Sequence, residues 1–469
     1  MSYKLRTPTH VYEIIPDHFV PCAPQGEGSQ SPLLAIKDKL DHIASLGADG
    51  IALTPLFPAD DPLRLHTTDF ETIDPKLGNE NDLELLCAAA AERGISVTLM
   101  GVFDHVSSQH PWFTQALEQH EDDERVTPEE RTRSFFAFNA VHRHGYACRD
   151  GSASEPELDL RNAEVRRRMF TGESSVLHRW LRLGASGWRI LRAEQVGFSI
   201  LRELQRGSRN IEGSHFLVGD IKGFADRYQR DGLLDAVVNH YGREAVLAYL
   251  KGDIPARQLA RVERELQKSY EKSLVRSWNL LSGHDTPRLP TILGNHPAGA
   301  ARVRLATLLS YTLPGAAHVF YGEEIGLAAS HALPATAPMS WDPSTWHADT
   351  LALHRQLGAL RKRRAALRTG ELVDMTPEGE WEVFAFARVT ADPRETTIVI
   401  VNRSERAQVR KLFAPITDLV DGLLLKDALV GRRTRVRSGS IHIEIAPHEA
   451  VILVPDDEDE ASARFFRGY

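Results

Sequence analysis

Short apolar runs alternate with stretches of helical spacing over the first three-quarters of the chain. Residues 11–15 form the first run. Leu33, Leu34, Ile36, Leu40, Ile43 and Leu46 then recur at helical spacing and stop at Gly47, which predicts a helix with a glycine terminator. Gly50 to Leu53 is the next run. Asn79 can cap a helix that carries Leu83, Leu85 and Leu86 and ends at Gly94, and residues 95–103 follow as a long strand. Further apolar runs fall at 187–191, 216–219, 234–238, 275–281 and 318–321. Eight strands alternating with helices predict an α/β fold, a closed parallel (β/α)8 TIM barrel. No Gly-x-Gly-x-x-Gly follows the first strand, so an open dinucleotide-binding sheet has no support.

Two interruptions complete the layout. A long segment rich in charge, histidine and aromatics, 106–159, separates strands three and four, and insertions of that length are usually functional or form a subdomain. Beyond about Gly370 the helices vanish. Runs at 383–387, 397–401, 434–436, 441–445 and 451–454 predict a C-terminal antiparallel β domain of the sandwich type. The expected division is therefore 1–370 for the barrel with its 106–159 insertion, 371–456 for the β domain, and 457–469 for an acidic tail.

Composition narrows the possible partners. Of 469 residues, 42% are hydrophobic and 26% charged, an ordinary globular balance. The net charge of −8 is spread through interleaved acids and bases, which argues against a nucleic-acid partner. The loose basic run of Arg131, Arg133, Arg143 and Arg149 reads as a solvated loop surface. Cys22, Cys87 and Cys148 fit neither a metal cage nor a redox pair, and such sparse usage suits a reducing compartment. The N-terminus carries no apolar leader core, and no window is long and apolar enough to span a membrane. The expectation is a cytoplasmic protein with no membrane partner, no cofactor and no metal.

Functional groups in such a barrel collect at the C-terminal strand ends. Strand three ends in Gly101-Val102-Phe103-Asp104-His105, strand four in Gly187-Trp188-Arg189-Ile190-Leu191, and strand five in Val218-Gly219-Asp220. Strand seven leads into Gly283-His284-Asp285, and strand eight into Tyr321-Gly322-Glu323-Glu324. Thr67-Thr68-Asp69, Pro338-Met339-Ser340-Trp341 and Pro16-Asp17-His18-Phe19 stand between and around them. In this order and over nearly the whole chain, the set resembles the α-amylase family of glycoside hydrolases. Pro156-Glu157-Leu158-Asp159-Leu160 resembles the neopullulanase, cyclomaltodextrinase and maltodextrin-glucosidase branch. The chain leaves no room before Val11 for the N-terminal β domain many of that branch carry.

The resemblance implies a retaining reaction on α-glucans, with a carboxylate nucleophile and a carboxylic acid beside the leaving oxygen. Arg189 matches the family arginine that orients the nucleophile. The nucleophile's own position, two residues on, holds Leu191. Leucine has no lone pair, and removing a nucleophile in an unrelated hydrolase costs on the order of 10⁶ in turnover. Arg189 thereby loses its ionic partner, for which Asp104 and Asp285 are the candidate replacements. Asp220 occupies the acid/base position, one methylene shorter than the family glutamate. Asp285 matches the third carboxylate, and His105 and His284 match the sugar-binding histidines. Leu65, His66, Met100, Asp104 and Ser186 also depart from the family pattern. Trp112, Trp180 and Trp188 read as core or rim, and Glu323 and Glu324 as parts of a turn.

Three readings follow from these residues. The first is a non-hydrolytic relative that binds an α-glucan, a malto-oligosaccharide or a protein partner. The second is an active hydrolase or transglycosidase with a rearranged acid pair, Asp220 and Asp285. The third is a structural or regulatory subunit without a sugar site, paired in a homo-oligomer or with an active paralogue.

Overall fold

The computed structural model describes residues 7–20, 30–119, 127, 131–213, 215–328, 336–417, 419–456, 459 and 466. Cys22 and nearly all of the acidic tail lie outside them. Eight parallel strands close into a barrel in sequential order. They are β1 (His10–Ile14), β2 (Gly50–Leu53), β3 (Ser96–Gly101), β4 (Gly187–Ile190), β5 (Phe216–Ile221), β6 (Ala236–Asn239), β7 (Trp278–Asn279) and β8 (Ala316–Phe320). The TIM barrel expected from the apolar runs is therefore present.

Alternation along each strand divides the core in two. Val11, Ala52, Phe216, Val218, Ala236, Val238, Trp278, Leu280 and Ala316 fill the barrel interior. The intervening residues, such as Tyr12, Leu99, Trp188 and Leu217, pack outward against the helices. Trp180 and Trp188 are core residues with no exposed surface. At the start of β4 a side chain on Gly187 would place its Cβ 2.2 Å from the Phe216 carbonyl oxygen, so β4 and β5 pair closely because that residue is glycine.

Some boundaries move. The helix expected over Leu33 to Leu46 is two pieces, Pro32–Asp38 and Leu40–Ser45. Asn79 does cap Glu80–Glu92, through a capping box with Asp82. The seventh strand shrinks to two residues, because Val275 and Arg276 belong to a 3₁₀ turn, Glu271–Arg276.

The described residues of the C-terminal region form eight strands: β9 (Glu371–Asp374), β10 (Val383–Val389), β11 (Thr397–Asn402), β12 (Gln408–Phe413), β13 (Leu424–Asp427), β14 (Arg433–Arg435), β15 (Ser440–Ile445) and β16 (Ala450–Pro455). A six-stranded antiparallel sheet, ordered β14-β13-β16-β11-β10-β9, and the β12-β15 pair enclose a second apolar core. One buried arginine fastens this region to the barrel: Arg388 of β10 donates to the carbonyls of Thr312 (2.7 Å) and Gly370 (2.8 Å). Close by, Arg361 ties the last long barrel helix to the carbonyls of Tyr311 (2.7 Å) and Thr9 (3.0 Å). No described helix is long and apolar enough to cross a membrane.

Candidate active site

A cavity of about 310 Å³ opens at the C-terminal end of the barrel, lined in part by Leu191, Asp220, His284, Asp285 and His105. It falls at the lower end of the size range of small-molecule sites, about 300–1,000 Å³. Five of the six residues singled out from the sequence thus meet in one place. Strand geometry accounts for this: β3, β4 and β5 and the turns after β3 and β7 all end here, and alternation turns Leu191 and Asp220 inward.

Arg189 is the sixth. It is fully buried and does not line the cavity. Its Nη1 donates to Glu13 at 2.6 Å and its Nε to Asp220 at 3.0 Å, with Nη2 on the same Asp220 oxygen. Its partners are therefore Glu13 and Asp220, in place of the expected Asp104 or Asp285. Asp104 accepts from His105 Nδ1 at 2.9 Å, and Asp285 faces Lys222 Nζ at 3.1 Å. With every carboxylate contact spent below the cavity floor, Arg189 offers nothing to a sugar directly.

Glu13, from the middle of β1, is the hub that the sequence reading missed. It has no exposed surface. One oxygen accepts from the backbone N–H of His284 at 2.9 Å and from its Nδ1 at 2.8 Å; the other accepts from His318 Nε2 at 2.9 Å as well as from Arg189. Burial pushes the Glu13 carboxyl up, but Arg189 and His284 outweigh it and hold it well below the usual carboxylate range. His284 is in turn raised: burial opposes its charge, and the Glu13 carboxylate overcomes that. A lone acid inside the apolar run Val11-Tyr12-Glu13-Ile14-Ile15 was the available signal, since a charge in a strand buried on both faces must have a partner.

Asp220 is held as tightly. Besides Arg189 it accepts from His240 Nε2 at 2.5 Å. Burial raises its carboxyl, yet the Arg189 charge and the His240 bond prevail and keep it ionised far below the usual range. A general acid needs the opposite, a carboxyl raised toward the working pH. Asp285 is also held down: burial raises it and His284 lowers it more. The one cavity acid shifted upward is Glu194, three residues past Leu191, where burial dominates and Asp220 adds to it. Buried oxygens of Glu194 and Asp285 (Oε2 and Oδ1) make no hydrogen bond to the protein.

The β3–β4 side of the cavity has a different character. Leu191, only 8% exposed, packs with Met100 and Val102, and half-buried Leu65 packs against this cluster. Three of the departures read from the sequence are thus one apolar cluster. His66 lies between Asp60 and Glu155, 3.4 Å from each. Ser186 does not belong here. It precedes β4 at the opposite, N-terminal end of the barrel, where its hydroxyl accepts from the Val97 N–H at 3.2 Å. At the cavity mouth Arg192, in the left-handed region at φ 50°, reaches Asp150 of the insertion at 3.0 Å.

Comparison with known proteins agrees with this geometry. The family described as alpha amylase, catalytic domain, matches residues 13–206 and 203–369. A cyclomaltodextrinase of Geobacillus thermopakistaniensis is 29% identical over 460 residues, covering 94% of this chain and 76% of that one. Neopullulanase 2 of Thermoactinomyces vulgaris is 27% identical over 431 residues, covering 90% and 70%. Among solved structures, a debranching enzyme of Nostoc punctiforme (TM-score 0.80, 24% identity, 96% and 100% covered) shares the fold. So does the cyclic α-maltosyl-(1→6)-maltose hydrolase of Arthrobacter globiformis (TM-score 0.79, 23% identity, 96% and 98% covered). With the family match spanning the barrel from β1 to the last helix before β9, this chain belongs to the α-amylase family.

Proposed function

We propose that this protein binds an α-glucan of the malto-oligosaccharide type in the barrel-top cavity and no longer performs retaining hydrolysis there. The observation that carries the reading is Leu191 packed into an apolar cluster with Leu65, Met100 and Val102. A vacated nucleophile position would leave a polar hole; this one has been filled in. The ion pair of Asp220 with Arg189 and its hydrogen bond from His240 support the same reading, because they keep the remaining acid/base carboxyl ionised. His284 and Asp285 after β7, with His105 after β3, supply hydroxyl partners, which favours a sugar ligand over a subunit with no site. The relatives named as cyclomaltodextrinase and neopullulanase support malto-oligosaccharides as the ligand class. Binding without turnover suits a regulatory role, in a homo-oligomer or beside an active paralogue, and the sparse cysteines suit a cytoplasmic setting.

Calorimetry with malto-oligosaccharides, beside a reducing-sugar assay on the same samples, tests this. Binding without sugar release is expected. Turnover of maltotriose or a cyclodextrin, abolished by Asp220→Asn, would overturn it.

One observation favours a second reading. Glu194 is pushed up and Asp285 is held down in the same cavity, the opposed environments that separate an acid from a base. An inverting, water-mediated hydrolysis would then use Asp285 with Glu194, in place of the Asp220 of the sequence-based pair. It requires sugar release that Glu194→Gln removes and Asp220→Asn leaves measurable.

A further inference from the structure

Six non-glycine residues have left-handed backbone among the described residues, and two of them are bonded to each other. Arg192, directly after Leu191, and Asp150, in the insertion, both have φ 50°. Arg192 Nη1 donates to an Asp150 carboxylate oxygen at 3.0 Å. The left-handed region crowds the Cβ of any residue but glycine, and aspartate tolerates it better than arginine does. Such strain persists where the surroundings hold it, and it concentrates at binding sites and switches. Both residues line the barrel-top cavity, one at the end of β4 and one in the insertion.

The insertion meets Arg192 with the tip of a hairpin. Cys148 pairs antiparallel with Pro156, and the Arg149 N–H donates to the Glu155 carbonyl at 2.9 Å. Residues 150–154 form the turn between them, and all but Ser152 are exposed. The base of the hairpin is tied down: Arg149 Nη1 donates to the Glu155 carboxylate at 2.8 Å, which also lies 3.4 Å from His66. The tip is held more lightly. Beyond residues 144–155 it has two polar contacts among the described residues, the Arg192–Asp150 pair and the Ser108 N–H donating to the Ser154 carbonyl at 2.9 Å. A Cβ added at Gly151 would meet no atom within 4 Å, so the turn stands free of its surroundings. Arg192 also has a second anion within reach, because its Nε lies 3.7 Å from the Asp104 carboxylate.

We propose that residues 150–154 are a cover on the cavity, latched shut by the Arg192–Asp150 pair and lifting when Arg192 turns to Asp104. The identity of the ligand that passes under it rests on the glucan-binding reading above; the latch itself does not. Opening breaks one ion pair and one hydrogen bond and leaves the base of the hairpin in place. The Asp150 side chain is 73% exposed, and a pair this exposed biases an equilibrium only roughly 2- to 5-fold. Salt screens such a pair, so ionic strength shifts the cover toward open.

Two measurements on the full chain test this. The first needs no ligand. Lifting the tip frees the Ser108 N–H from Ser154, so hydrogen exchange at Ser108 reports opening. Asp150→Asn, which keeps a residue tolerant of left-handed backbone, should speed that exchange roughly 2- to 5-fold at low salt. Arg192→Lys keeps the charge and should change it less, and added salt should erase the difference between parent and Asp150→Asn. Equal exchange in the parent and Asp150→Asn at low salt overturns the latch. The second measurement is NMR line-shape analysis of a maltotriose titration, which yields association and dissociation rates. Maltotriose is uncharged, so salt does not alter its steering toward the protein. Both rates should rise roughly 2- to 5-fold with salt in the parent, and in Asp150→Asn they should start high and stay flat. Rates that respond to salt equally in the two proteins overturn the cover and leave the cavity reading standing. Absence of maltotriose binding overturns the glucan reading, and the exchange result then decides the latch by itself.

Discussion

The two walls of the cavity have met the same problem in opposite ways. On the β3–β4 wall, Leu65, Met100, Val102 and Leu191 form a dry cluster. On the wall built from β1, β5, β6 and β7 the groups are charged, and Glu13 is the second carboxylate on Arg189 beside Asp220. Stripping the anion from a buried guanidinium is costly unless other acceptors take its N–H groups. The barrel's far seam shows the alternative: Arg361 and Arg388 are equally buried but bind only carbonyl oxygens, and burial lowers them to about 10 and about 9. A buried arginine in this chain is thus satisfied by carboxylates or by carbonyls alone, and only the carboxylates around Arg189 hold its pKa above the ordinary value.

The contrast predicts unequal consequences. Glu13→Ala should be the most damaging single change, because it strips an anion from Arg189 and acceptors from His284 and His318; the loss should be about 3–5 kcal/mol, read by urea unfolding. A loss under 1 kcal/mol would show that Arg189 and Asp220 suffice as a pair. Leu191→Ala on the dry wall should cost about 2 kcal/mol, near the low end for buried leucines, because the cavity already borders it. Leu191→Asp should cost about 1–3 kcal/mol and restore no maltotriose hydrolysis, since the carboxylate contacts of Arg189 are occupied. Combining it with Glu13→Gln should recover about 1 kcal/mol through coupling at Arg189. Recovered turnover in Leu191→Asp alone would show that the retaining site is still assembled.

The contrast also explains what could be read from the chain beforehand. Eight buried strands announce themselves as apolar runs, and the motif order groups Leu191, Asp220, His284 and Asp285, which line one cavity. Glu13 escaped because its partners are 176 to 305 residues away, and no local pattern encodes such a pairing. Ser186 departs from the family pattern just before Gly187, yet β4 separates it from Leu191 and puts the two at opposite ends of the barrel. Glu194 carries no motif; only its burial marks it. Among the C-terminal strands, β9, β12 and β13 give no apolar run because they are short or carry charges, and in Gln408 to Phe413 only Leu412 is buried. An edge strand of that kind lacks the apolar continuity by which the others were found.

The smallest effect separates the walls most cleanly, because only one of them titrates. Glu13 and Asp220 have folded-state pKa values below their reference values of 4.5 and 3.8. Their contribution is present above those values and is lost as pH falls through the folded ones. His284 runs the other way. Raised above 6.5, it contributes fully below that pH and fades as pH rises through its folded value. Stability against pH should thus show an acid limb and a shallower loss above neutrality. Asp220→Asn should flatten part of the acid limb alone. Glu13→Gln should flatten both, because the carboxylate that is itself depressed is the one that raises His284. Leu191→Ala should lower the whole curve and leave its shape unchanged. A change of shape in Leu191→Ala, or an alkaline limb that survives Glu13→Gln, would mean that the two walls are electrostatically coupled and that the cavity is one unit.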